Sequence, residues 1–446
     1  MLNFFRQIIP QNFFIRRIFS FLKAFLAAFI YNFPAKKIKI IGITGTDGKT
    51  TTCEVLFHIL KNNGQKVAKI SSANFSIMDT TWTNNTKRTT VSPFLMQKFL
   101  KECLDQKIEI VIIEVTSHAL VQKRIFGIDF DFALLTNISH EHLDYHGSLE
   151  NLRAAKKLLF TKFLNLEGIS ILNADEEVTK TWTKELKKVK TFSFQNKNSD
   201  FYATNLQDEK NGLSFYIKKQ KFQAKLFGHF NSENCLAAIA TAKVLQIQDT
   251  EIALALNTFP GVLGRLQNLD FGQNFDIFVD FALTPNAFKK VLYSLKKRTL
   301  NKLIVVFGAA GDHDKAKRPL IGQIAYDIAD NIILTDDEPY SEEPSLIRQE
   351  IKKGIFISQE EREVSLQDKH FFEIPDRKEA IQTALQIAQS GDCIIVAGMG
   401  SLTSRNIKGQ EIPWDDSQII ADIFSSVFPS KKVKHRLAKL KQKLIP

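Results

Sequence analysis

The chain of 446 residues is 44% hydrophobic and 24% charged, a balance that excludes a disordered or fibrous protein and leaves room for two or three domains with full cores. Its net charge of +12 sits at the ends: residues 1–37 hold six basic residues and no acid, and 430–446 hold seven Lys or Arg and no acid. The body between them is close to neutral, which argues against a broad nucleic-acid face.

Four segments are expected: a basic apolar N-terminal segment (1–37), a central domain (38–259), a C-terminal domain (260–429) and a basic tail (430–446). Met1 to Pro34 is rich in Phe, Ile and Leu, with Arg6, Arg16, Arg17 and Lys23 interspersed. Its longest charge-free run after Lys23 falls short of the ~20 residues that a spanning helix needs. An amphipathic helix packed on the body is expected, with an anionic membrane surface as the alternative partner. The tail from Lys431 to Lys441 reads as a solvated basic helix. Cys53, Cys103, Cys235 and Cys393 are widely separated; they suggest neither a zinc site nor a disulfide framework and fit a reducing cytoplasm.

A β-branched run, Ile38 to Ile43, leads into Thr44-Gly45-Thr46-Asp47-Gly48-Lys49-Thr50-Thr51-Thr52. A strand, a glycine-rich turn and Lys-Thr at the start of a helix have the layout of a phosphate-binding loop. Backbone N–H groups and a helix N-terminus cradle phosphates, Lys49 neutralises charge, and the Thr50 hydroxyl reaches Mg²⁺. Ile43 stands where the general GxxxxGK[ST] form has its first glycine. Further on, a helix is expected from Thr51 to Asn62, a short strand from Lys66 to Ser71, a loop or hairpin from Ala73 to Thr90, and a helix opened by Ser92-Pro93. Ile108 to Val115 is almost uninterruptedly apolar, as a strand buried on both faces is, and it ends by presenting Glu114. Phe130 to Ile138 repeats the pattern and delivers Asn137. A helix over Leu149 to Leu164 and a strand over Ile169 to Leu172 complete a βαβ alternation, which predicts a parallel sheet. From Phe201 to Phe227 the period shifts toward two, with Lys210-Asn211-Gly212 as a turn, so a small antiparallel addition is expected. Beyond Pro260-Gly261, strands over Phe275–Phe281, Lys302–Phe307, Asn331–Leu334 and Cys393–Ala397 alternate with helices over Pro285–Leu295 and Lys378–Ser390. The expected fold class is α/β: a phosphate-loop parallel-sheet central domain followed by a Rossmann-like C-terminal domain.

Asn137 to Gly147 gathers three histidines and two acids, His140, Glu141, His142, Asp144 and His146. Mg²⁺ with a triphosphate suits this cluster better than zinc, because a phosphate loop stands in the same domain and hard oxygen ligands favour it. At most one of these histidines need be a ligand.

Taken together, these motifs resemble the Mur ligases. Thr44 to Thr52 resembles their ATP loop, and Glu114-Val115-Thr116-Ser117-His118-Ala119-Leu120 resembles a segment of the branch that adds the third peptide residue. Thr136-Asn137, His142 to Gly147, Ala154-Ala155-Lys156, Gly228 to Asn234, Gly264-Arg265, Asp280, Lys317-Arg318-Pro319, Asp376-Arg377 and Ile412 to Asp416 follow in the same order. The resemblance runs from residue 38 to about 427. It implies ATP-dependent amide formation in peptidoglycan precursor synthesis: ATP phosphorylates an acceptor carboxylate, and an amino acid's amine displaces the phosphate. It further implies that Gly45, Thr46, Asp47, Gly48, Lys49, Thr50 and Thr51 hold ATP with Asn234, Arg265 and Asp280. Thr50, Glu114, His142 and a carbamylated Lys156 would bind two Mg²⁺ ions. Lys49, Lys156, His142 and Arg265 are then the catalytic set, while Thr89, Thr90 and Ser117 would meet a UDP-muramoyl-peptide-like acceptor. A monomer in the cytoplasm, with no nucleic-acid partner, is expected.

Several positions depart from the family pattern. Where an Asp-Asn-Pro-Arg segment holds the distal carboxylate of diaminopimelate, this chain has Asp337-Glu338-Pro339-Tyr340. Tyr340 cannot form a bidentate carboxylate pair and Glu338 repels one. Leu283, Met399, Ser401 and Leu402 replace polar residues, and His313 stands where Arg is common. The expected consequence is an amino acid other than diaminopimelate, such as lysine or ornithine. The alternatives are an ATP-binding or regulatory homologue that has lost ligation, a folylpolyglutamate-synthase-like ligase, and, from another class, a nucleic-acid-stimulated ATPase. Only 37 residues precede the loop strand, too few for the separate domain that grips UDP in this branch, so another surface or a different acceptor is expected.

Overall fold

A computed structural model describes residues 14–139, 143–209, 212–356 and 370–427. It divides into two compact units, Met1–Pro260 and Gly261–Pro446.

The first unit is built on an eleven-stranded sheet in the order β11-β10-β9-β8-β7-β6-β1-β5-β2-β3-β4. Its strands are β1 (Lys39–Thr44), β2 (Val67–Ile70), β3 (Asn74–Ile77), β4 (Thr80–Thr83), β5 (Ile110–Glu114), β6 (Phe130–Leu135), β7 (Leu164–Asn173), β8 (Val189–Ser193), β9 (Phe201–Glu209), β10 (Gly212–Ile217) and β11 (Gln220–Ala224). Pairing is parallel from β9 through to β2. The antiparallel hairpins β3-β4 and β10-β11 close its two ends. β5 is buried at all five positions, as its unbroken apolar run requires of a strand covered on both faces. The expected hairpin in 73–90 and the antiparallel addition after 201 both form; residues 210 and 211 of the expected turn lie outside the described residues. Helices Lys49–Asn62, Pro93–Asp105, Leu149–Thr161 and Phe230–Val244 flank the sheet. Ser92 caps the second of these through Leu95 N, with Pro93 at its first turn, the arrangement that satisfies orphan N–H groups and pre-sets φ.

The N-terminal helix runs over Phe14–Ile30. It packs Ala24, Ala27 and Ala28 onto the body but leaves Ile18, Phe19, Leu22, Phe25, Leu26, Phe29 and Ile30 exposed. No helix among the described residues is long and apolar enough to cross a membrane. The basic tail lies outside the described residues.

In the second unit, the strands are β12 (Gln267–Asn268), β13 (Asp276–Asp280), β14 (Leu303–Phe307), β15 (Asn331–Leu334), β16 (His370–Glu373), β17 (Cys393–Ala397), β18 (Ser404–Ile407) and β19 (Gln410–Pro413). The main sheet is β12-β13-β17-β14-β15-β16, parallel throughout except for the short edge strand β12. Sequence patterning overlooked β8 and β16, as well as the helices Lys317–Ile328 and Pro344–Ile355. β16, His-Phe-Phe-Glu, is an edge strand with no fully buried residue, so it carries neither alternation nor an apolar run.

Candidate active site

Sheet order places the phosphate loop. β1 lies between β5 and β6, all parallel, so the segments leaving their carboxyl ends emerge side by side, where α/β sheets bind ligands. Those segments are Thr44 to Lys49, Glu114 to Ser117 and Thr136 to Ser139.

The loop is fastened to the segment after β6. Asp47 N donates to Asn137 Oδ1 at 2.8 Å, Asn137 Nδ2 returns to Asp47 O at 3.1 Å, and Thr136 Oγ1 reaches the same carbonyl at 2.7 Å. Thr46 N donates to Asn137 O, and Ser139 N to Thr46 Oγ1, both at 3.0 Å. Gly48 has φ of 81°, and a Cβ there would sit 1.9 Å from Asn234 Oδ1. Only glycine meets both conditions, and Asn234 is thereby placed against the loop. The helix Lys49–Asn62 begins at Gly48 without a side-chain cap, leaving its first N–H groups to an anion.

Two charged groups are buried at this point. Lys156, 1% exposed on the helix Leu149–Thr161, donates from Nζ to Gly45 O at 2.6 Å. Glu114, fully buried at the end of β5, accepts from Thr50 Oγ1 at 3.3 Å and from Ser72 N at 3.1 Å. Lys49 Nζ donates to Gly45 O at 2.9 Å and Thr46 O at 2.7 Å. Burial, and next the Glu114 charge, raise the Cys53 thiol well above its ordinary range, so this cysteine is no nucleophile.

The expected acceptor-side residues adjoin Glu114. Ser72 Oγ is 2.9 Å from both Glu114 Oε2 and Thr89 Oγ1. Thr90 Oγ1 donates to Glu114 O at 3.1 Å and accepts from Thr116 N at 2.9 Å. Ser117 lies 2.9 Å from the Nε2 of buried His146, whose ring stands edge-on to Tyr145. Thr51 is buried in the helix. His140, Glu141 and His142 lie outside the described residues, and the described ones contain no cluster of three metal-ligating side chains. Sequence reading missed Ser72, which belongs to no motif. It also missed the buried Lys69, paired with Glu54 and Asn74.

In the second unit the expected residues also stand at strand ends. Asp280 closes β13 and accepts from Leu266 N at 2.6 Å and Ala282 N at 2.7 Å. Burial raises its carboxyl above the usual range, against the pull of Arg265 and those two N–H groups. Arg265 lies over the Phe281 ring at 4.3 Å, and a Cβ on Gly264 would meet Ser401 N at 2.1 Å. A depression at the carboxyl ends of β13, β14 and β17 is lined by Ala282, Leu283, Phe307, Gly308, Lys317 and Gly398. Burial lowers the Lys317 ammonium, whose Nζ donates to Leu283 O at 3.2 Å.

Asp337 and Glu338 follow β15. Asp337 is buried, with its Oδ2 lacking a hydrogen-bond partner among the described residues; burial raises its carboxyl, and Arg377 is the main charge opposing the rise. Glu338 is held by Asn406 N at 3.0 Å and Tyr340 Oη at 3.2 Å. Tyr340 takes a left-handed φ of 51° and stands edge-on to His313 at 5.6 Å. Other matching positions build the frame: Arg377 makes two bonds to Asp416, at 2.9 and 2.7 Å, with both side chains fully buried.

Comparison with known proteins agrees with this layout. Residues 43–242 match the Mur ligase middle domain and 264–400 match the Mur ligase, glutamate ligase domain. The chain is 33% identical over 416 residues to the UDP-N-acetylmuramyl-tripeptide synthetase of Borreliella burgdorferi, covering 91% of this chain and 80% of that protein. A solved UDP-N-acetylmuramoyl-L-alanyl-D-glutamate–2,6-diaminopimelate ligase superposes with a TM-score of 0.63 at 29% identity, over 94% of this chain and 84% of that one. The fold is shared more widely: Mycobacterium tuberculosis folylpolyglutamate synthase complexed with ADP gives a TM-score of 0.67 at 14% identity, over 85% and 92% of the two chains. The chain belongs to the Mur ligase family of ATP-dependent ligases.

Proposed function

We propose that this ligase joins an amino acid to the free carboxylate of a UDP-muramoyl-peptide-like acceptor during peptidoglycan precursor synthesis, in the cytoplasm and as a monomer. The observation that carries the reading is the meeting of Lys49, Lys156 and the Glu114–Thr50 pair at one glycine loop. In such a reaction ATP converts the acceptor carboxylate to an acyl phosphate, the amine attacks the acyl carbon, and the C–O bond to phosphate breaks as the amide forms. Lys49 and the uncapped helix N-terminus would hold the β- and γ-phosphates against their mutual repulsion. Thr89 and Thr90 would hold the acceptor beside Glu114.

Mg²⁺ fits the donors present: Thr50 offers a hydroxyl and Glu114 a fully buried carboxylate, both hard oxygens. His142 would add a ligand. A carbamate on Lys156 would keep one N–H for Gly45 O, present two oxygens and remove a buried positive charge. When bound, the ions would neutralise charge on the phosphates and on the developing intermediate. Asn234 would meet the adenine, Arg265 the phosphates and Asp280 the ribose.

For the amino acid, buried Asp337, whose Oδ2 has no hydrogen-bond partner among the described residues, favours a side chain that ends in an amine, lysine or ornithine. Glu338 is already committed to Asn406 and Tyr340, and there is no arginine at position 340 to take a distal carboxylate. Phosphate release from ATP, measured with the acceptor and a panel of amino acids, tests this. Stimulation by lysine or ornithine at least about tenfold above diaminopimelate is expected. The opposite preference would overturn the amino-acid assignment, and stimulation by no amine would overturn the ligase reading.

A further inference from the structure

The helix Phe14–Ile30 presents the reverse of an ordinary surface helix. Leu22, Phe25, Leu26, Phe29 and Ile30, with Ile18 and Phe19 one turn earlier, are between 42% and 67% exposed. At about 100° per residue these seven fall within one arc of roughly 140°. The opposite side carries Ala24, Ala27 and Ala28, all buried. It is seated closely: a Cβ on Gly127 would meet Ala28 Cβ at 2.7 Å, and Phe21 meets Phe126 edge-on at 5.0 Å. Small residues therefore face the body and large apolar ones face solvent, an arrangement that marks an interaction face.

The charges on the helix and on the segment that follows it, up to Thr46, have one sign. The first acid of the chain is Asp47, whereas Arg17, Lys23, Lys36, Lys37 and Lys39 precede it. Lys23 Nζ lies over the Phe19 ring at 4.4 Å, and Lys123, from the body, lies over the Phe21 ring at 5.5 Å. A second copy of the chain docked here would set like charges against one another. A partner that is apolar within and anionic at its surface matches both properties. We propose that this face docks on an anionic phospholipid bilayer, with the helix lying in the headgroup plane and its cations among lipid phosphates. At 17 residues the helix is about 25 Å long, and it lies on the surface without spanning it. A 3₁₀ turn over Pro34–Lys37 links it to β1, so docking would hold the phosphate-loop unit at the membrane.

Flotation of the full chain with phosphatidylcholine vesicles, with and without phosphatidylglycerol, tests this. Anionic vesicles should carry at least about tenfold more protein than neutral ones, and raised salt should reduce the difference. The double variant Leu22→Glu, Phe29→Glu should lose at least about tenfold of this binding, with its melting temperature and ATP-dependent phosphate release in solution unchanged. Equal flotation of variant and parent would overturn the proposal. So would a dimer that the variant dissociates, with no binding of the parent to anionic vesicles.

Discussion

Lys156 places its Nζ in the interior, on the carbonyl of Gly45, in the loop that Lys49 also contacts. Carbamylation of the buried lysine would turn a cation, which repels a metal ion, into a donor of hard oxygens. Lys156→Arg keeps the charge but cannot be carbamylated. Ligation by this variant should fall by about 10²-fold or more, with nucleotide binding and melting temperature close to the parent's. ¹³C NMR of protein equilibrated with labelled bicarbonate should show a carbamate carbon in the parent and none in the variant. A variant with parental turnover would remove Lys156 from the mechanism. The loop residues were legible because they are contiguous and each has a chemical reason for its place. Ser72 was not, because its link to Glu114 and Thr89 arises only when β2 pairs with β5.

Elements with one dominant signal could be read from the sequence. β5, β14 and β17 are unbroken apolar runs and are buried at every position. Elements held by charges could not: the helices Lys317–Ile328 and Pro344–Ile355 are joined through Arg318, which bonds Glu342 at 3.0 and 2.8 Å and Glu350 at 2.7 Å. No local pattern announces such a network. The Arg318 hydrogen bonds, opposed by a desolvation cost, hold the Glu342 carboxyl at about 2 against its ordinary 4.5. A carboxyl lowered on folding stabilises above its unfolded value, and that contribution is lost as pH falls from 4.5 toward 2. Glu342→Gln should therefore be less stable than the parent at neutral pH and should close the gap across that window, as read by melting temperature against pH. A gap independent of pH would contradict the assigned role.

At the scale of the whole molecule, each unit gathers its expected residues at the carboxyl ends of its own strands: Lys49, Glu114 and Asn137 at those of β1, β5 and β6 in the first, and Asp280 and Asp337 at those of β13 and β15 in the second. The proposed function would give the first unit the phosphate-binding and metal-ligand chemistry. The α/β class of both units was legible from strands and helices alternating along the chain. The segment after β15 was legible only as a set of departures, because its conformation depends on Tyr340 in a left-handed turn and on Asn406 reaching Glu338. The proposed function stands or falls on amide formation driven by ATP. Incubation with UDP-N-acetylmuramoyl-L-alanyl-D-glutamate, ATP, Mg²⁺ and lysine or ornithine, read by mass, is the decisive measurement. A ligase of this kind yields an acceptor heavier by one amino-acid residue, with one phosphate released per product. ATP bound or hydrolysed with no such product, for any amino acid offered, would contradict the proposed function.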